Sequence, residues 1–141
     1  MSEGSGSARS IRIAGYLAIL FGIFGATSGL GGAGTFIPYR NASTFHSQFA
    51  EVLTVIAATG AIVSGLGVAS GWGLLRSREW AWGLTLGVAA GCVALVAALT
   101  AFWPASWGFL VVVAFAYAVE VGLLMLGRGT FRARVGKATP G

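Results

Sequence analysis

Four apolar stretches of about 20 residues or more constrain this chain more than any other feature. They cover residues 13–32, 52–75, 80–102 and 107–127. A membrane-spanning helix needs about 20 consecutive, mostly apolar residues. Each stretch is too long for an ordinary strand and lacks sustained alternation of apolar and polar side chains. In lipid, a single segment satisfies its own N–H and C=O groups only as a helix. The expected fold is therefore all-α, a four-helix transmembrane bundle. Charged residues make up 9% of the chain, against roughly 25% in a soluble domain.

The basic residues give an orientation. Arg9 and Arg12 precede the first stretch, Arg76 and Arg78 lie between the second and third, and Arg128, Arg132, Arg134 and Lys137 follow the fourth. Eight of the nine basic residues thus fall on one side, with Arg40 on the other. Lys and Arg accumulate in cytoplasmic connections, so both termini are expected in the cytoplasm. The predicted layout is a flexible cytoplasmic N-terminus at 1–12, a transmembrane domain at 13–127 with an outer loop at 33–51, and a basic cytoplasmic tail at 128–141. The net charge of +5 follows from this layout and from contact with membrane lipids, and it does not point to nucleic acid. Trp72, Trp80 and Trp82 flank the connection "WGLLRSREWAW" that carries Arg76 and Arg78. Trp103 and Trp107 flank "FWPASW", where Pro104 helps end the third helix. Indole rings prefer the headgroup level, so these residues mark the lipid interfaces.

In the outer loop, Gly29, Gly31, Gly32 and Gly34 argue against continuation of the first helix. Phe45 and Phe49 would share a helical face, so the second helix is expected to start early, with Ser43 or Thr44 as cap. Glycines also recur at a spacing of four within the spans. Gly83, Gly87 and Gly91 lie in the third, Gly25 and Gly29 in the first, and Gly67 and Gly71 in the second. Such rows let another backbone approach closely, in the same chain or in a partner, and packing inside one monomer is favoured over a dedicated dimer interface.

Candidate chemistry is sparse. The chain has no Asp, one His, and Glu only at 3, 51, 79 and 120. His46 with Glu51 makes an incomplete metal site, because metals need three or four ligands. No metal, no cofactor and no catalytic residues are expected, and the chain does not read as an enzyme. Cys92 is the single cysteine, so an internal disulfide is excluded and a small buried hydrophobe is its expected role.

Glu120 stands apart, because "AYAVEVGLLM" places it inside the fourth apolar stretch. An ionisable residue there is costly and faces the protein interior. With no cation at that depth, the acid is expected in its neutral form. Tyr117, one turn away, and Ser64 on the second helix are its expected polar neighbours. It is either a proton or ion site or a polar clamp between helices.

The hairpin "GWGLLRSREWAWGL" resembles one in small bacterial four-helix membrane proteins, in which a Gly-Leu-Leu helix end meets an Arg-containing turn and a Trp-Ala helix start. The resemblance covers the hairpin and the four-span layout. It implies topology, not an activity; the expected location is a bacterial plasma (inner) membrane. "AVEVGLL" is similar to the last span of a four-helix rotary ATPase proteolipid. The long outer loop and basic inner side depart from that family, and no site is carried over. The function expected from the sequence is an accessory or assembly subunit of a larger membrane complex, with other subunits or further copies of itself as partners. The alternative is a small proton-coupled transporter or channel that uses Glu120.

Overall fold

The structure is a computed structural model that describes residues 3–37, 44–102 and 106–138. Its regular structure is four long helices: α1 (Glu3–Phe36), α2 (Thr44–Leu75), α3 (Glu79–Phe102) and α4 (Trp107–Ala138). Each contains a stretch long and apolar enough to cross a membrane: Ala8–Thr35, Phe49–Leu75, Glu79–Phe102 and Trp107–Gly129. At 1.5 Å per residue, α1 is about 51 Å long, well beyond the ~30 Å of a bilayer's hydrocarbon core.

The helices run past the expected boundaries at three points. The N-terminal segment is helical from Glu3, and the basic tail is helical to Ala138. Most clearly, α1 continues through Gly29, Gly31, Gly32 and Gly34 to Phe36. The loop expected at 33–51 therefore shrinks to the few residues between Phe36 and Thr44. A glycine costs a helix about 1 kcal/mol, but an unpaired backbone group in lipid costs several. The glycines are useful as well, because Gly29 sits directly on α2. Arg40, Ser43, Trp103 and Pro104 lie outside the described residues, as do the side chains of Phe45 and His46.

Helices α1 and α2 form the tightest pair, running antiparallel. A Cβ on Gly22 would lie 2.6 Å from Val68 N and 2.7 Å from Ser64 O. One on Gly29 would lie 2.7 Å from Ala57 O, and one on Gly71 2.5 Å from Gly15 O. A Cβ on Gly25 would meet the Ser64 side chain, with Ser64 Cβ at 2.8 Å. The contact row on α1 is Gly15, Ala18, Gly22, Gly25, Gly29. The row on α2 is Ala57, Ala61, Ser64, Val68, Gly71, Leu75. Both alternate steps of three and four, the spacing of a left-handed helix pair. In lipid no hydrophobic effect drives helices together, so this close backbone contact is a principal source of their affinity.

The α2–α3 connection is a Schellman-type cap. Arg78 N donates to Gly73 O (2.9 Å) and Ser77 N to Leu74 O (3.0 Å). Ser77 has φ 54°, the left-handed conformation this cap demands and glycine usually supplies. Ala81 N then donates to Arg78 O at 3.1 Å and starts α3. The Arg76 guanidinium lies 4.7 Å above the Trp72 ring, while Trp72, Trp80 and Trp107 are exposed. Trp82 is different, because its ring packs against Phe131 of α4 at 5.7 Å.

Helix α4 buries one narrow face, made of Tyr117, Glu120, Leu124, Gly127 and Phe131. Near the termini, Leu124 and Phe131 join Ile11, Ala14, Leu74 and Ala81 in an apolar cluster. Nearer mid-span, Tyr117 joins Val88, Ala89 and Cys92 in a second cluster. Only 11% of the most apolar stretch of α4 is buried within the chain, so lipid or other protein covers the rest.

Candidate functional site

The site is assembled at the middle of the bundle. Phe21, Ser64, Cys92 and Tyr117 each fall within about two residues of the centre of their own span. The Tyr117 hydroxyl donates to Cys92 Sγ at 3.2 Å. Ser64 Oγ approaches the same sulfur at 4.0 Å. The Tyr117 ring meets Phe21 edge-on, with centroids 5.7 Å apart. Three helices, α2, α3 and α4, thus converge on one thiol, and α1 closes the fourth side.

Glu120 lies one turn further along α4 toward the termini and is 1% exposed. It faces the protein. Its Oε2 is buried and has no hydrogen-bond partner among the described residues. The sequence expectation grouped Glu120 with Tyr117 and Ser64. The structure brings Tyr117 and Ser64 together through Cys92, and among the described residues neither bonds Glu120 Oε2 directly. The reason is reach: the phenol carries its hydroxyl across to α3, where the sulfur takes it up. Helices α1 and α4 are antiparallel, with Ile11 against Gly127 and Phe21 against Tyr117. That register puts Ala18 at the level of Glu120, where a methyl group can offer no hydrogen bond.

Two further buried hydroxyls belong to this interior. Ser70 donates to Gly67 O and Thr85 to Ala81 O, each at 2.8 Å. Both are satisfied by their own helix. Sequence reasoning passed over them, although a Ser or Thr inside a helix commonly bonds back to its own preceding turn.

On the loop side of Tyr117 the helices part around a cavity of about 670 Å³. Its floor is Phe21, Ser64, Cys92 and Tyr117, and its walls include Leu53, Ile56, Leu99 and Val113. On the termini side of Glu120 the apolar cluster around Ile11, Leu74 and Leu124 fills the bundle.

The predicted packing glycines divide into two sets. Gly25, Gly29, Gly67 and Gly71 all sit within the bundle against neighbouring helices. Gly91 approaches Val63 Cγ1, which a Cβ would meet at 3.3 Å. Gly83 and Gly87 have open space around them instead, which corrects the expectation that this row packs inside one monomer. The cause is the rotation of α3, whose buried face is Ala81, Thr85, Val88, Ala89 and Cys92. Among the described residues no group of three or more His, Cys, Asp or Glu side chains could hold a metal ion. Comparison with protein-family models, curated proteins and solved structures finds no match to this chain.

Proposed function

We propose that this chain is an accessory or assembly subunit that docks, through α3, against another membrane protein. One observation supports the reading. Gly83, Gly87, Ala90, Ala94, Ala97 and Ala101 form a continuous exposed row along α3. Their steps alternate between four and three, as in the α1–α2 seam. A face of small residues allows a second helix to approach closely, while acyl chains gain little from it. The chain has no visible catalytic set, and we propose no enzymatic activity. The orientation we propose has both termini in the cytoplasm of a bacterial cell, with the protein in the plasma membrane. It is supported by the eight basic residues on that side.

Purification of the full chain in mild detergent tests the subunit reading. The expected result is stoichiometric co-purification of a larger membrane protein. Gly87→Leu and Ala94→Leu should abolish it while leaving the helical content and melting temperature of the chain itself unchanged. A wild-type chain that purifies only as a lone monomer or homo-oligomer would refute the proposal.

One observation favours transport as the second reading: Glu120 is buried one turn from Tyr117 on the cavity floor, with an oxygen that no described residue bonds. In proteoliposomes, Glu120→Gln would then keep the fold and abolish pH-driven flux. If the acid is only a polar clamp, the amide replaces it without loss, since it still donates and accepts hydrogen bonds.

A further inference from the structure

The cavity between the helices has the dimensions and chemistry of a site for one hydrocarbon chain. On α2 its wall runs from Leu53 to Ser64, eleven residues or about 16 Å of helix rise. One bilayer leaflet contributes about 15 Å of hydrocarbon. The cavity is thus one leaflet deep, and its floor is at mid-membrane. Its volume of about 670 Å³ lies inside the usual range for small-molecule sites, roughly 300–1,000 Å³.

The floor offers an occupant little polar contact. The Tyr117 hydroxyl is already committed to Cys92 Sγ at 3.2 Å, and Ser64 Oγ faces the same sulfur. Water is a poor filling, since a water molecule needs two to four polar partners and the walls are mostly apolar side chains, with Ser28 and Ser106 as the polar exceptions. A partner helix fits no better. Such a helix would have to continue past mid-membrane, where Phe21 and Tyr117 close the way. A lipid tail, by contrast, ends at mid-membrane.

We propose that this cavity binds a single acyl or isoprenoid chain of a membrane lipid, with its end against Phe21, Cys92 and Tyr117. The site is independent of the α3 docking face and of any role for Glu120.

The test uses the full chain in phosphatidylcholine vesicles that contain a phosphatidylcholine with a diazirine at the end of one acyl chain. After irradiation, adducts are mapped by peptide mass spectrometry. Adducts should concentrate on Phe21, Cys92 and Tyr117 and saturate with probe. Ile62 and Phe115, 68% and 71% exposed at similar depth, should label weakly and without saturation. Gly60 lines the cavity and a Cβ there meets nothing within 4 Å, so Gly60→Phe can place its ring in the site. It should lower floor labelling about tenfold, equivalent to about 1.4 kcal/mol of binding, and leave Ile62 and Phe115 unchanged. Ala116→Phe serves as a second filling variant. Equal labelling of floor and outer face in the wild-type chain would overturn the proposal, whatever the variants do. So would a chain-to-chain adduct from benzoylphenylalanine placed at position 109, which would mean that a second copy occupies the cavity.

Discussion

Gly22→Ala is the most direct test of the α1–α2 seam. The added methyl would sit 2.6 Å from Val68 N and 2.7 Å from Ser64 O. Both are backbone atoms of α2 and cannot rotate away. Ordinary contact begins near 3.4 Å, so the two helices must separate by about 0.8 Å at this level, in a well-packed interior with low compressibility. Overpacking of this kind costs about 1–3 kcal/mol. Alanine also favours the helix over glycine by up to about 1 kcal/mol, so the net effect of this variant alone is small or moderately destabilising. Gly87→Ala supplies the reference. It makes the same chemical change in the middle of a span, with open space at the new methyl, and so carries the propensity gain alone. The difference between the two variants isolates the clash at about 1–3 kcal/mol. Reversible unfolding in mixed micelles by rising dodecyl sulfate, followed by tryptophan fluorescence, measures it. Equal stability of the two variants would refute the close backbone contact at Gly22.

Three further outcomes follow from other parts of the chain. Ser77→Gly should stabilise the chain by about 0.5–1 kcal/mol in the same unfolding assay, because φ 54° is strained for serine and free for glycine. Tyr117→Phe should cost about 0.5–1.5 kcal/mol, the value of one hydrogen bond. It should also speed the reaction of Cys92 with a membrane-permeant maleimide, since the sulfur loses the 3.2 Å contact that covers it. For the proposed orientation, cysteines introduced at Ser43 and Ser106 of a Cys92→Ser chain should react with an impermeant thiol reagent in intact cells. A cysteine at Ser77 should not, and the reverse pattern would invert the topology.

The spans were legible because length and hydropathy are local properties. The seam was partly legible: Gly25, Gly29, Gly67 and Gly71 stood out at a spacing of four, but the full row needed alanine and serine as well as glycine. Counting Gly15, Ala18 and Gly22 with Gly25 and Gly29 as one class of small residue recovers the three-four alternation that marks a helix pair. Gly83 and Gly87 looked equivalent to those glycines and are not. Two faces of α3 are both poor in bulk, and nothing local distinguishes Ala81, Thr85 and Ala89, which are buried, from Gly83, Gly87 and Ala90, which are exposed. Cys92 read as a small hydrophobe, and it is buried. Its place between Ser64 and Tyr117 depends on residues 28 and 25 positions away.

Sequence alone determined the helical class, the number of apolar helices and the depth of each residue along its own span. Those follow from backbone hydrogen bonding in lipid, which each segment satisfies by itself. Only the tertiary structure decided the rotation of each helix about its axis. That rotation turned α3 so that Gly83 and Gly87 face outward, passed the Tyr117 hydroxyl to Cys92 rather than to Glu120, and opened a cavity on one side of mid-span. The physical reason is that the apolar residues surround these helices on every side. With lipid as apolar as the core, hydrophobicity does not choose the buried face, and the fit of small residues against a neighbouring backbone does.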